Sequence, residues 1–302
     1  SITRYMETKQ NQVKSYVNTW KLIKSAVKGD EYDFTAIPLN KAVVLLAIPM
    51  MLELILESVF AVVDIYFVNK IGVHAVSVVG LTESVITIVY SVGIGLSAAA
   101  TAMVARRVGE KNLDEAAHAG AQSLVVALLV SLLMGVPGVY YAEKILHLMG
   151  AQPEAIAEGL TYTRIMFGGN VVIILLFLIN GIFRGAGNAA IAMKSLWIGN
   201  IFNIILDPLL IFGIGFFPEF GVTGAAIATT SGRLIAVIYQ VYHLKRSTGR
   251  IKIKAVHFIP HKGLLKGIIN IASPATFQFI IASASWIFLA AMIAEYGSAA
   301  SA

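Results

Sequence analysis

The sequence has 302 residues, of which 57% are hydrophobic and only 13% charged, whereas an ordinary soluble domain carries about 25% charged residues. That shortfall, with a mean hydropathy of +0.78, excludes a soluble globular enzyme, and the absence of cysteine excludes disulfides, zinc–thiolate sites and thiol nucleophiles. A formal net charge of +6 leaves nucleic acid open as a partner only until the charges are located along the chain.

Residues 1–40 read as an amino-terminal segment, amphipathic or disordered. Val13, Val17, Trp20 and Val27 recur at helical spacing beside Lys14, Lys21, Lys24 and Lys28, the pattern of a helix lying in a membrane interface. The segment lacks the apolar core and cleavage site of a secretory signal. Seven apolar stretches long enough to cross a bilayer follow, at about 42–68, 78–103, 117–141, 160–182, 189–215, 221–243 and 265–293. They predict an all-α polytopic membrane protein, with no alternation of the β-barrel kind.

The first span carries Glu53, Glu57 and Asp64. At 100° per residue Glu57 lies about 40° and Asp64 about 20° from Glu53, so the three share one narrow stripe. Carboxylates at bilayer depth are costly against lipid, which points the stripe into a hydrated cleft with affinity for cations or protons. Asp64 lies about 13 Å beyond the middle of the span, a depth that equally suits the outer headgroups. Pro49 removes a backbone donor from the same helix and marks either a hinge or a structural kink.

In the second span Glu83 reads as a wet rim residue, and Gly93 and Gly95 read as sites of close helix packing. Tyr162 opens the fourth span. The fifth holds Asn200, Asn203, Asp207 and a second hinge candidate, Pro208, with Asn203 and Asp207 one turn apart. The sixth brings Thr229 and Thr230 to a similar depth, and its Arg233 either snorkels or pairs with a carboxylate. Four helices thus offer carboxylate, amide, hydroxyl and phenol groups at one level, where turning inward lets them find hydrogen-bond partners and forms a basis for proton coupling. His257 and His261 lie one turn apart in the basic stretch that follows, without the third ligand a metal site needs.

Most of the 23 Lys and Arg residues fall on alternate connections: before the first span, after the second, around the fourth-to-fifth turn and between the sixth and seventh. Lys70 and Lys144 are on the other side. The positive-inside rule therefore puts the amino terminus in the cytoplasm. The basic rim faces anionic headgroups, and no base-reading motif accompanies it, so nucleic acid is not expected as a partner.

Lys41–Pro49 (KAVVLLAIP) and Lys266–Pro274 (KGIINIASP) share a pattern, each followed four residues on by a polar group, Glu53 or Gln278. The expected organisation is a six-helix lobe at 41–245, a basic linker at 246–262, and the first helix of a second, repeat-related lobe at 263–302, the rest of which lies outside this sequence. Together with AIPMMLELILESVFAVVDIYFVNKIG, ARRVGEKNLDEA, NGIFRGAGN, NIILDPLLIFG and FGVTGAAIATTSGR, taken in their order and spacing, the chain resembles the multidrug and toxic compound extrusion (MATE) family.

The resemblance implies a two-lobe antiporter, not an enzyme, that expels amphipathic or cationic small molecules in exchange for protons or sodium ions across a bacterial cytoplasmic membrane. It implies ion coupling at Asp64, Asp207, Asn203, Tyr162 and Thr229, and a substrate cavity at Glu53, Glu57 and Asn180. Pro49 is similar to the proline where the first helix bends, and Pro208 stands as a second hinge. No cofactor is implied and no firm metal site, with sodium at Asp64, Asp207 and Asn203 the alternative to a proton. Where some members have a glutamate on the seventh helix this sequence has Ala282, Ser283 and Ala284, which shifts the weight of coupling to the amino-terminal lobe. The competing readings are a lipid-linked saccharide flippase of related architecture, which calls for a more cationic cavity, a membrane-embedded aspartate enzyme, whose G-x-G-D or D-D-x-x-D motifs are absent, and a noncatalytic half.

Overall fold

A computed structural model describes residues 20–30, 32–246 and 251–294, with side chains as far as residue 285. Val13, Lys14 and Val17 of the expected interfacial helix therefore lie outside the described residues. The chain is an all-α multi-pass membrane protein, and among the described residues no strand is present. Residues 20–28 are helical (α1). There follow α2 (Leu39–Asn69), α3 (Val73–Gly109), α4 (Leu113–Tyr140), α5 (Ala142–Leu148), α6 (Pro153–Gly168), α7 (Asn170–Gly185), α8 (Ala189–Phe212), α9 (Val222–Arg246), a 3-10 turn at Ala255–Phe258 and α10 (Lys262–Ala294).

Seven spans result, with ends set by local chemistry. Asn112 and Asn188 cap α4 and α8, each side-chain oxygen accepting a backbone N–H three residues on. Pro153 starts α6 where its missing donor costs nothing. Gly213 closes α8 with φ +66°, a left-handed turn that favours glycine.

Two features depart from the sequence reading. The short α5 lies between the third and fourth spans, and the fourth span is two helices, broken at Gly169. The Asn170 amide donates to the Phe167 carbonyl at 2.6 Å, competing with the helical ladder where the two pieces meet. Pro49, Pro208 and Pro274 all lie within continuous helices.

Close helix contact holds the bundle together. A Cβ on Gly181 would stand 2.5 Å from the Ser97 carbonyl, and one on Gly185 2.8 Å from that of Thr101, so α7 presses against α3 through a small-x-x-x-small face. Gly199 and Gly232 do the same for α8 and α9, a Cβ on Gly232 meeting the Gly199 carbonyl at 2.5 Å. As expected for close packing, Gly95 abuts Thr276 of α10, and Gly93 abuts Phe177. A buried Thr82–Thr163 hydroxyl pair at 2.8 Å and the contact of Gly159 with Val78 fasten α3 to α6.

The end of the bundle that carries Arg106, Arg107 and Lys194 is tightly tied. Buried Gln240 of α9 donates to Asn180 of α7 at 2.6 Å and to Ser195 of α8 at 3.2 Å. The segment before α10 docks on α4. Buried Gln122 donates to the carbonyls of His257 and Ile259, both at 2.9 Å, and accepts from the His261 N–H at 3.3 Å. His257 meets Asp114 at 3.1 Å, and His261 accepts the Leu264 N–H at 3.2 Å, in the first turn of α10. α10 then packs on α3 and α4.

The tightness of the α8–α9 contact is testable. Gly232→Ala is expected to destabilise the protein by about 1–3 kcal/mol, since a methyl group must displace backbone. Gly80→Ala, with nothing within 4 Å of its Cβ, is expected to be silent. Thermal melts of the two purified variants check the contrast.

Candidate functional site

The acid stripe of α2 meets a different partner at each level. Glu53 is 7% exposed, and its carboxylate accepts a hydrogen bond from Arg184 of α7 in a buried ion pair. One turn on, Glu57 accepts from the Asn200 amide of α8 at 3.0 Å. Further along, Asp64 faces Asp207 of α8, the two carboxyls standing close enough to hydrogen-bond when one carries a proton.

Asp207 is fully buried, and neither of its carboxylate oxygens has a hydrogen-bond partner. One turn before it, Asn203 donates to the Thr229 hydroxyl at 3.0 Å, leaving its own carbonyl oxygen buried and unpartnered. Three buried acceptor oxygens, one on Asn203 and two on Asp207, thus stand one helical turn apart on α8 without a hydrogen-bond donor, those of Asp207 beside Asp64. Buried polar atoms are rarely left so, and hard oxygens of this kind suit a shared proton or a small alkali cation. The α8–α9 contact at Gly232 sets the spacing, for a Cβ there would stand 3.1 Å from that of Asn203.

A cavity of about 570 Å³ opens on the other side of Asp64, lined by residues of α2, α3, α6, α7 and α9. Its polar lining is Glu57, Asp64, Asn69, Glu83, Tyr162, Thr229 and Arg233, and its aromatic lining includes Phe60, Tyr90 and Phe177. The Thr82–Thr163 pair places its two sequence neighbours, Glu83 and Tyr162, at this wall. Three acids and one guanidinium in a chamber otherwise lined by apolar, aromatic, hydroxyl and amide groups suit an amphipathic cation, since field lines concentrate in a low-dielectric cleft.

The expected site residues therefore separate into groups. Asp64, Tyr162 and Thr229 line the cavity, and Asn203 and Asp207 lie behind it. Glu57 lines the cavity as expected of a substrate-cavity residue. Glu53 and Asn180 do not. Arg184 closes Glu53 off within the bundle, and Asn180 accepts from Gln240 and Ser195 in the knot that joins α7, α8 and α9. Pro49 lies one turn before Glu53, and Pro208 directly follows Asp207.

Arg233 neither snorkels nor reaches a carboxylate among the described residues, but donates to the Tyr90 hydroxyl at 2.5 Å. Sequence reasoning missed Glu83 and Tyr90 as cavity residues. The available signal was their separation of seven, two helical turns, in register with Val76 and Ile94.

The MatE family model matches residues 49–209. The multidrug export protein MepA of Staphylococcus aureus (strain bovine RF122 / ET3-1) is 26% identical over 268 residues, which cover 88% of this chain and 58% of that protein. Among solved structures, a MOP superfamily transporter from Pyrococcus furiosus Vc1 (DSM3638), described as having a binding pocket of reverse polarity, superposes with a TM-score of 0.80 and 26% identity over 92% of this chain and 59% of its own. A multidrug resistance MATE family transporter of the MOP superfamily in an outward-facing conformation gives 0.77 and 27%, over 88% and 57%. This chain spans less than two thirds of the length of each of them.

The Glu53–Arg184 pair carries its own prediction. Arg184→Ala strands a buried carboxylate and is expected to cost about 3–5 kcal/mol, much of it recovered when Glu53→Gln is added. Unfolding of the single and double variants in detergent measures the coupling; additive losses would mean the pair is energetically idle.

Proposed function

The chain belongs to the MatE family, and from that premise we propose that it is part of a secondary-active efflux antiporter for amphipathic and cationic small molecules. The family consists of transporters, so the enzyme reading is set aside. Coupling is assigned to Asp64 and Asp207, with Asn203, Tyr162 and Thr229 around them. The observation that carries this reading is the double position of Asp64, which borders the cavity on one side and Asp207 on the other.

A proton or sodium ion held between Asp64 and Asp207 neutralises the cavity wall and weakens its hold on a cationic substrate. A bound cation in turn stabilises the ionised pair. Ion and substrate then compete, and the competition supports exchange when the cavity opens alternately to the two sides of the membrane. The three donorless oxygens of Asp207 and Asn203 fit either ion.

Pro49 and Pro208 stand next to Glu53 and Asp207, positions from which a bend in α2 or α8 shifts the acids. The exchange is assigned to a bacterial cytoplasmic membrane, with the amino terminus and the basic connections in the cytoplasm beside anionic lipid. A second, repeat-related lobe is proposed to face the cavity across α2, whose Leu54, Val62 and Ile65 side chains are exposed. The flippase reading is not favoured: three acids against one arginine in the cavity repel a pyrophosphate headgroup.

In vesicles containing equal amounts of full-length protein, Asp64→Asn and Asp207→Asn are each expected to abolish gradient-driven efflux. Separate proton and sodium gradients across the same vesicles identify the coupling ion. Undiminished efflux by Asp64→Asn would remove the shared-carboxylate mechanism.

A further inference from the structure

α10 lies close along α3 and stands off from α4. A Cβ on Gly95 of α3 would come within 2.8 Å of the Ala272 carbonyl, whereas a crevice of about 240 Å³ opens between α10 and α4. Its lining comes from Val92 and Leu96 of α3, Val126 and Val130 of α4, and Ile269 and Phe277 of α10. At one end Gln122, a turn before Val126, grips the segment that leads into α10. Leu129 and Leu133, which flank Val126 and Val130 on α4, are more than half exposed, as are Ile269 and Phe277 themselves.

All three helices are spans, so the medium at this opening is hydrocarbon. Lipid tails are as apolar as leucine, and an apolar furrow alone would exchange one chain for another at little gain. Charge makes this furrow selective. At 100° per residue Lys262 and Lys266 fall within about 80° of Ile269, Ser273 and Phe277 around α10, so the α10 wall of the crevice runs down into two lysines one turn apart. The span of α10 begins at Lys262, which puts the pair at headgroup level, about 10 and 4 Å below Ile269 along the axis. Both lysines are exposed, and neither makes an ion pair among the described residues. No acid occurs between Lys262 and Ala294, and Asp114 of α4 is turned to His257. Two ammonium groups beside an apolar furrow match a phosphate ester that carries an acyl chain.

We propose that the crevice between α4 and α10, with Lys262 and Lys266 at its base, is a binding site for one anionic phospholipid of the adjoining leaflet. The lysines receive its phosphate, and an acyl chain fills the gap past Ser273. The lipid then completes the packing between α4 and α10 that the protein leaves unmade. Such a site needs only that these helices span a membrane and is independent of the export reading.

Native mass spectrometry of the full-length protein, released from nanodiscs of equal phosphatidylglycerol and phosphatidylcholine, counts the lipids it retains. The unaltered protein is expected to retain phosphatidylglycerol in preference to phosphatidylcholine. Lys262→Gln combined with Lys266→Gln is expected to lower that retention about tenfold or more, the scale of two lysines at an anionic surface. Ser273→Phe, which fills the gap, is expected to lower it severalfold. Lys245→Gln combined with Arg246→Gln, an exposed basic pair at the end of α9, is expected to leave it unchanged. A phosphatidylglycerol with a photoreactive acyl chain gives a second readout on the unaltered protein, free of any folding defect in the variants. Its label is expected between Val126 and Val130 or between Ile269 and Phe277.

Retention unchanged in the lysine variant, or in Ser273→Phe, overturns the site. So does an equal loss in the α9 control, which marks a diffuse charge effect, and so does equal retention of the two lipids by the unaltered protein. Label found only outside the crevice, as when a helix of a second lobe fills it, overturns the site as well.

Discussion

Everything in this bundle answers to the scarcity of water at bilayer depth. A backbone group or charged side chain there has to be met by protein, by an ion or by an internal chamber. α2 shows the rule along its length. Leu54, Ile55 and Val62 are exposed on its outside, while its acids turn inward to an arginine, an amide and a second carboxyl in succession. Glycine at the helix crossings, rather than large apolar side chains, brings the partners within reach, because the hydrophobic effect that would otherwise press helices together is absent between them.

The spans were legible because hydropathy is a sum over neighbours, and the common face of Glu53, Glu57 and Asp64 was legible because helical geometry is regular. Depth was harder. Glu83 was read as a rim residue by counting from an apolar onset near 78, but α3 begins at Val73, which carries Glu83 about 15 Å along the helix. The partners of each acid were not legible at all. Three residues on one stripe look equivalent in sequence, and only the crossing of α7 closes Glu53 off with Arg184 while Glu57 and Asp64 stay open to the cavity.

The break at Gly169 escaped for a different reason. A single asparagine in a long apolar run changes hydropathy little, yet its amide can take a carbonyl from the ladder. Gln122 and Gln240 escaped likewise, each a lone polar residue in an apolar helix. Both are fully buried and tie distant segments together. Their placement makes the bundle uneven. The end near Arg106 and Lys194 is crossed by the Asn180–Ser195–Gln240 knot, whereas beyond it the helices part around the chamber. Helices anchored at one end and separated at the other resemble a clamp.

The docking of residues 257–261 on α4 turns what reads as a floppy tether into a strut. Because Gln122 grips carbonyls on both sides of Phe258 and His261 holds the first turn of α10, the base of α10 is keyed to the α4 surface. Swinging α10 as a rigid rod would have to carry α4 along or strip those contacts. Torque applied higher on α10 is therefore delivered at its base to α4 and along its length to α3, whose Glu83 and Tyr90 line the cavity.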